Sequence, residues 1–231
     1  MAILRKLHYC WFGSNAMPVL VEHCMASWRE HLGDFELVRW DESNLPVNDF
    51  TRYHLGQSNW AFVSDYVRLH ALHAEGGIYL DTDVEVIKPF DKLLENKAFV
   101  ALQAPGSATN AVSGSVSGHA FFLDCMAYIL ERFESGQRHP LSPEVTTDVY
   151  EAGDYDLAVY DSDYFYPYNP YDKSRPLEIL MHSMITENTH AIHHWTKSWK
   201  KRPKPRRRAQ IGQLLANLRK NPAKGRVRKG N

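Results

Sequence analysis

Residues 76–83 read Gly-Gly-Ile-Tyr-Leu-Asp-Thr-Asp, a glycine pair followed by a short apolar run and two carboxylates one residue apart. The glycines are typical of a helix end, and the apolar run is typical of a buried strand. Because side chains alternate between the faces of a strand, Asp81 and Asp83 point the same way where the strand ends. Open α/β sheets bind ligands at such ends. The pair therefore predicts a site for Mn²⁺ or Mg²⁺, hard cations that bridge to the oxygens of a diphosphate.

Two other interpretations of this acid pair stay open. Asp bonds its own backbone readily, so a bare Asp-x-Asp more often marks a turn than a metal site. An apolar strand followed by Asp-x-Asp also fits phosphohydrolases of the haloacid-dehalogenase type, whose first acid is a nucleophile. That class normally carries the motif on its first strand, whereas at least two predicted strands precede Asp81.

The segments before the acid pair have the order of a nucleotide-binding α/β unit. Residues 4–11 predict a first strand, Pro18 begins a helix, and residues 35–40 predict a second strand. Residues 61–74 predict an amphipathic helix that Gly76 closes as a left-handed cap. Strand, helix and strand in this order predict a mixed central sheet flanked by helices.

After the acid pair the predicted elements are shorter. Residues 97–103, 157–160 and 189–195 predict strands, and residues 119–133 predict a helix. The segment between them, residues 104–118, is rich in Gly, Ser, Ala and Asn. That composition predicts a segment that is flexible or that another part of the chain approaches closely.

The composition is that of a globular protein. With 231 residues, 44% of them hydrophobic, the chain can bury a full core as one domain with an appendage. Three widely spaced cysteines argue against a disulfide framework and for a reducing compartment. No apolar run is long enough for a membrane span, and the start lacks the apolar region of a signal peptide. We therefore expect a cytoplasmic location.

The net charge of zero conceals a segregation of charge along the chain. Residues 197–231 hold 14 of the 27 basic residues and no acidic ones, so the preceding part carries a net charge of −14. Within this basic arm, Ile211, Leu214, Leu215 and Leu218 recur at helical spacing, which predicts an amphipathic helix suited to an anionic membrane surface. Alternatives are a solvated tail, docking on the acidic body, or, least favoured, binding of nucleic acid.

Four separated segments resemble one family, the glycosyltransferase family 32 enzymes, whose catalytic core is similar to the glucosyltransferase domains of large clostridial toxins. They are residues 7–13, 61–69, 76–83 and 191–199. The resemblance implies a GT-A fold, a nucleotide-sugar donor, a divalent metal and retention of anomeric configuration. It implies a catalytic domain over residues 1–199, and residues 200–231 then form the basic arm.

The resemblance also implies roles for residues of the donor site. Trp11, beside Phe12, looks like the residue that stacks on the nucleobase, as aromatic faces can do on any base. Ser64 is expected to bond the ribose or diphosphate. Asp65 and Arg68 match residues that hold hydroxyls of the donor sugar and the phosphate region. Taken alone, an Asp and an Arg one helical turn apart more often form a solvated ion pair.

For the metal, the resemblance implies that Asp83 is the direct ligand. Asp81 would touch ribose, donor sugar and the water shell of the metal. His193, with His194 as an alternate, matches a third ligand, and Ser198 with Trp199 resembles a lid over the diphosphate that excludes water.

The sequence thus predicts an enzyme that moves a hexose from a nucleotide-diphosphate sugar, with UDP-sugar favoured, to a saccharide or lipid-linked saccharide. Capsular, O-antigen or other surface polysaccharide synthesis is the expected setting, and the basic arm would hold the enzyme on the inner face of the membrane. Acceptor-side residues are not identified. Candidates are Gln103, Asn110, Glu144 and Asp148. Besides the phosphohydrolase, a non-catalytic module that binds nucleotide or nucleic acid is an alternative.

Overall fold

The computed structural model describes residues 2–174 and 177–196. Strands and helices alternate through the first half of the chain, and shorter elements follow. In chain order they are β1 (Lys6–Cys10), α1 (Val19–His31), β2 (Glu36–Trp40), α2 (Asp49–Gly56), α3 (Trp60–Glu75), β3 (Gly77–Leu80), β4 (Val84–Val86), β5 (Ala98–Ala104), β6 (Ser107–Ser115), α4 (Ala120–Glu134), α5 (Ser142–Ala152), β7 (Ala158–Tyr160) and β8 (Ala191–His193).

Six of the strands form a mixed sheet in the order β2-β1-β3-β6-β5-β7. Strand β1 is parallel to β2 and β3, whereas β6 is antiparallel to both β3 and β5. Every residue of β3 is buried, because one hydrophobic cluster covers Ile78 and Leu80 and another covers Tyr79 on the opposite face. The predicted mixed α/β sheet is confirmed, and the acid pair leaves its centre at the end of β3.

The glycine pair before β3 is required by close backbone contacts. Gly76 has φ +68° and ψ −169°, so the helix ends with a positive φ but in an extended conformation, and the predicted left-handed cap is wrong. A β-carbon at Gly76 would lie 2.7 Å from the amide nitrogen of Ser117, and one at Gly77 would lie 2.8 Å from the carbonyl oxygen of Lys6. Any larger residue would push β3 away from its neighbours.

A second, two-stranded sheet brings distant parts of the chain to the acid pair. β4 pairs with β8 in antiparallel register, so that Val84 lies opposite His193. Helix α1 fixes this sheet: the Trp28 indole donates to the carbonyl oxygen of Val84 at 2.7 Å, and the Ser27 hydroxyl accepts from the amide of Val86 at 2.9 Å. Residues 110 positions apart thereby become neighbours.

The segment of residues 104–118 differs from the predicted flexible segment. Most of it is β6, a buried strand in the middle of the sheet. Its small residues serve close packing: a β-carbon at Gly114 would lie 2.3 Å from the ring of Phe99. The prediction of close approach is confirmed and that of flexibility is wrong, because strand pairing on both sides outweighs the weak strand preference of small residues.

Helix α5 has no counterpart among the sequence-based predictions. Its start nevertheless carries a recognisable signal, since Pro143 lies in the first turn and the Glu144 carboxylate accepts the amide of Leu141 at 2.7 Å. Acidic residues three positions into a helix commonly cap it in this way.

Two predictions lie outside the described residues: the lid formed by Ser198 and Trp199, and the arm with its boundary at residue 200. Among the residues that are described, no helix has the length and apolar character needed to cross a bilayer.

Histidine burial makes the stability of this fold depend on pH. His54 is 5% exposed among aromatic rings, and its Nε2 atom is buried without a hydrogen-bond partner. Burial, with a further contribution from His139, lowers the pKa of His54 to about 4. Since the unfolded value is about 6.5, folding disfavours the charged form, and stability falls as the pH drops from about 6.5 towards 4. We expect a loss on the order of 2 kcal/mol from this group.

Replacing His54 by phenylalanine should remove this contribution while keeping the aromatic packing. Urea denaturation at pH 7 and pH 4.5 would then show a smaller difference in unfolding free energy for His54→Phe than for the unmodified chain. His23→Phe, a change at an exposed position of α1, serves as the control and should leave the difference unaltered. An equal pH dependence in all three proteins would contradict the assignment.

Candidate active site

The acid pair occupies a tight turn between β3 and β4. The amide of Val84 donates to the carbonyl oxygen of Asp81 at 3.0 Å, and the amide of Asp81 donates to Ala111 in β6 at 2.9 Å. The turn interpretation and the site interpretation are therefore compatible, because the turn is what holds the two carboxylates together. Asp83 is 8% exposed, which is unusual for a carboxylate that serves a turn alone.

Arg68 lies at the centre of the polar cluster beside this turn. Its side chain is 6% exposed, and protein acceptors lie within 3.3 Å of all three guanidinium nitrogens. Nη2 lies 3.0 Å from Asp65 and 3.1 Å from Asp81, and Nη1 donates to Asp81 and Asn110 at 3.3 Å each. Nε donates to the carbonyl oxygen of Ser64 at 3.2 Å. Asp65 and Arg68 are thus not a solvated surface pair.

This arrangement changes what Arg68 can do. Because all three guanidinium nitrogens already contact protein acceptors, contact with a phosphate would compete with these contacts. Burial by itself would lower the pKa of Arg68, but the Asp81 and Asp65 carboxylates outweigh it and raise the pKa above its usual value. The side chain is a permanent cation that sets the positions of two carboxylates.

Asp81 has a further partner in β3, the strand that precedes it. The Tyr79 hydroxyl donates to Asp81 at 3.0 Å, and the ring of Tyr79 lies 4.9 Å from the guanidinium carbon of Arg68. Burial raises the pKa of the Asp81 carboxyl more than Arg68 lowers it. A bound cation would act in the opposite sense.

Asp83 is held by residues from β8 and the segment after it. Its Oδ1 atom lies 3.1 Å from Nε2 of His193, while Oδ2 accepts from both the amide and the hydroxyl of Thr196 at 2.8 Å. Burial by itself would raise the pKa of Asp83, but His193 and Thr196 hold it well below its usual value. Burial by itself would lower the pKa of His193, but the Asp83 carboxylate outweighs it and raises the pKa of the imidazole.

Asp81, Asp83 and His193 form a set of three that could hold a metal ion. One ligand atom from each lies within 4.8 Å of the others. Nδ1 of His193 is buried and bonded to no described residue, so the ring is not saturated by protein partners. Two carboxylates and one imidazole suit a hard or intermediate divalent ion. His194 is directed elsewhere, because its Nε2 pairs with Glu85 at 2.9 Å.

The predicted base-binding residues lie at the end of β1. Trp11 is half-buried, and its indole donates to the carbonyl oxygen of Asn15 at 3.1 Å. Phe12 is buried and stacks on Trp60 with 6.5 Å between ring centroids. Phe12 is therefore a packing residue of this loop, and little of its own surface is available to a nucleobase. The Ser64 hydroxyl donates to the carbonyl oxygen of Trp60 at 3.0 Å.

Of the four acceptor-side candidates, the structure brings one to the cluster. Asn110 in β6 is 1% exposed and bonded to Arg68. Gln103 bonds to Ser107, Glu144 caps α5, and Asp148 bonds to Tyr128 on α4. Sequence reasoning missed Tyr79 and Thr196 as partners of the acid pair. Both stand inside the segments that carried the resemblance, but nothing in their spacing indicates a contact.

The chain is similar in sequence to sugar transferases from distant organisms. It is 28% identical over 145 residues to inositol phosphoceramide mannosyltransferase 3 of Schizosaccharomyces pombe, covering 60% of this chain and 40% of that protein. It is 36% identical over 92 residues to human alpha-1,4-N-acetylglucosaminyltransferase, covering 39% of this chain and 26% of that protein. The chain thus spans two fifths or less of the length of these relatives.

The fold is similar to that of a solved glycosyltransferase. The structure of the PaToxG glycosyltransferase superposes with a TM-score of 0.56 at 15% identity, covering 65% of this chain and 69% of that one. The GT-A fold predicted from the sequence is confirmed. The phosphohydrolase alternative is not supported, because the acid pair follows the third strand of a glycosyltransferase fold.

The family match spans the segments that build the cluster described above. Residues 3–127 match the family described as capsular polysaccharide synthesis protein. This range contains Trp11, Asp65, Arg68 and the acid pair, and it is more than half of the 231 residues. The chain therefore belongs to the capsular polysaccharide synthesis protein family.

Proposed function

We propose that this protein is a metal-dependent, retaining glycosyltransferase that moves a hexose from a nucleotide-diphosphate sugar, most simply a UDP-sugar, to a saccharide acceptor. The observation that carries the proposal is the joining of two polar groups at the end of β3. Asp81 belongs to both: it is bonded to Arg68 and lies with Asp83 and His193 in the set of three. The residues that could hold a cation for the diphosphate thus lie beside carboxylates that could accept hydrogen bonds from hydroxyls of the sugar.

In this proposal different residues bind different parts of the donor. Asp81, Asp83 and His193 hold Mn²⁺ or Mg²⁺, which when bound supplies a fixed positive charge beside the diphosphate. Asp65 and Asp81, oriented by Arg68, accept hydrogen bonds from hydroxyls of the donor sugar. Trp11 stacks on the base, with Ser64 on the ribose side.

The chemical step breaks the bond between the anomeric carbon and the phosphate oxygen. The acceptor hydroxyl attacks the anomeric carbon from the face that the diphosphate leaves, and its proton passes to the departing phosphate oxygen, so the configuration is retained. Arg68 stabilises the growing negative charge through its field, since its N–H groups are engaged with protein. Closure by Ser198 and Trp199, both outside the described residues, would exclude water from the donor.

A donor panel tests the proposal directly. UDP-glucose, UDP-galactose, UDP-N-acetylglucosamine and GDP-mannose are screened by thermal shift with and without Mn²⁺, and slow donor hydrolysis is followed by release of the nucleoside diphosphate. A ligand at a hundred times its Kd stabilises the fold by about 2.7 kcal/mol. We expect metal-dependent stabilisation and hydrolysis with at least one donor. Absence of binding by every nucleotide would refute the proposal and favour a module without catalysis.

We also propose that the acceptor lies at an anionic membrane, as in capsular or other surface polysaccharide synthesis on a lipid-linked saccharide. The first support is the basic arm of residues 200–231, which complements anionic lipid. The second is a segment of the body with three large apolar side chains exposed to 42% or more, Leu177, Ile179 and Met181. It follows Tyr171, whose ring lies 5.8 Å from that of Trp195, next to the set of three.

Vesicle sedimentation measures this membrane contribution. Deletion of residues 200–231 should abolish binding to phosphatidylglycerol vesicles, since each basic residue near the surface contributes about 1 kcal/mol. Replacing Leu177, Ile179 and Met181 by serine should weaken binding severalfold. Leu123→Ser, at a position of α4 that is 49% exposed, is the matched control and should bind normally. Unchanged sedimentation of the deleted chain would contradict the proposal.

A further inference from the structure

His139, just before α5, and Ser142, at its start, contact two partners of Arg68. Neither of them lies in residues 3–127, which match the family, and neither belongs to the acid pair. His139 approaches Asp65, and Ser142 bonds to Asn110. Asp65 forms an ion pair with Arg68, and Asn110 accepts a hydrogen bond from it. One short stretch of chain therefore contacts both flanks of the cluster.

The His139 contact is enclosed by aromatic rings. Nε2 of His139 lies 3.5 Å from Oδ2 of Asp65, the carboxylate oxygen that is not the one nearest Arg68, but it forms no hydrogen bond with a described residue. The imidazole is 9% exposed, and its centroid lies 4.0 Å from that of Phe62. Phe62 is on α3, the helix that also carries Asp65, so His139 packs on the same helix that it approaches through the carboxylate.

The Ser142 contact fixes the amide of Asn110. Its hydroxyl donates to Oδ1 of Asn110 at 2.6 Å, and the same oxygen accepts from Nη1 of Arg68 at 3.3 Å. The amide of Asn110 has one orientation, because turning it over would direct its N–H groups at the N–H donor of Arg68, which has no acceptor. The neighbouring Thr147 binds the backbone of Ala108 and so anchors α5 to β6 independently of Arg68.

We propose that His139 and Ser142 are positioning residues that hold Asp65 and Asn110 in the arrangement that binds the donor sugar, acting through the Arg68 cluster. The proposal rests on the proposed transferase function for its kinetic consequence, but not for its effect on Arg68. A group with five N–H donors keeps its place only if its acceptors keep theirs, and two of these acceptors sit on different elements, α3 and β6. The start of α5 is what ties those two elements together at this point.

Kinetics on the full chain give the first test. Ser142→Ala should lower kcat/KM for donor hydrolysis between about twofold and tenfold, as expected for one lost hydrogen bond. His139→Phe removes only a 3.5 Å contact with Asp65 and should lower kcat/KM by a smaller factor. Ser142→Thr, which keeps a hydroxyl, and His139→Gln, which keeps an N–H donor, should restore activity in part. Losses in the double variant should be non-additive, because both residues act on one cluster. Thr147→Val is the control: it removes a bond between α5 and β6 and should leave kcat/KM unchanged.

A second measurement separates this inference from the proposed function. The ¹⁵N side-chain signals of Arg68 are recorded without donor, with Arg68→Lys to assign them. They should shift or broaden in Ser142→Ala and His139→Phe but not in Thr147→Val. If the Arg68 signals respond while the unmodified chain binds no nucleotide sugar, the transferase proposal fails and the positioning of Arg68 stands. Unmoved Arg68 signals, or equal kinetic losses in Thr147→Val, would overturn the inference.

Discussion

Replacing Arg68 by alanine should abolish donor turnover, lowering kcat/KM by at least about a thousandfold, and should also destabilise the fold strongly. The substitution leaves Asp65 and Asp81, which lie 3.0 and 3.1 Å from the guanidinium, as adjacent carboxylates without their cation. Removing one partner of a buried ion pair typically costs about 3–5 kcal/mol. Removing a single donor that stabilises developing charge in the transition state typically lowers the rate by about 10²–10³.

Two further substitutions make this expectation specific. Arg68→Lys keeps the charge but offers three donors instead of five, so we expect partial recovery of stability and little recovery of activity. Asp49 and Arg52 have the same three-residue spacing in α2, at 3.2 Å, with side chains 90% and 66% exposed. Arg52→Ala should therefore change the unfolding free energy by less than about 1 kcal/mol. Equal effects of Arg52→Ala and Arg68→Ala in urea denaturation and donor hydrolysis would contradict the central role of Arg68.

Asp83→Asn should remove the metal response of the protein while preserving its shape. The asparagine side chain can still accept from Thr196, but it lacks the charge that pairs with His193 and that a divalent cation requires. Loss of an outer hydrogen-bond partner of a metal ligand already costs about 10- to 100-fold in affinity, so loss of the ligand charge should cost more. Titration calorimetry with Mn²⁺ and thermal shift with Mn²⁺ and donor measure the effect, and donor hydrolysis should fall in parallel.

Glu85 provides the matched control for Asp83. It lies two residues further along the chain, pairs with His194 at 2.9 Å and is 42% exposed, but it is not part of the set of three. Glu85→Gln should keep both the Mn²⁺ response and turnover. If Asp83→Asn retained metal-dependent turnover, the assignment of the acid pair would be wrong.

Much of the site was accessible from the sequence, because its parts are local. The acid pair, the glycine pair and the Asp-x-x-Arg spacing each reflect one strand end or one helix turn, where neighbours in sequence are neighbours in space. The small residues of β6 led to the wrong prediction that residues 104–118 are flexible. A central strand obtains its order from its partners on both sides. Helix α5 was missed although Pro143 and Glu144 mark its start.

The sequence by itself determined the order of strands and helices around Asp81 and Asp83, and its resemblance to a known family implied the GT-A fold. Only the tertiary structure decided that the guanidinium nitrogens of Arg68 all contact protein acceptors, that His193 and not His194 lies beside Asp83, and that Ser142 of α5 bonds to Asn110. The physical reason is the range of the contacts. Those of Asp83 with β8 and Thr196 span more than a hundred residues, and no local periodicity encodes the register of two distant strands.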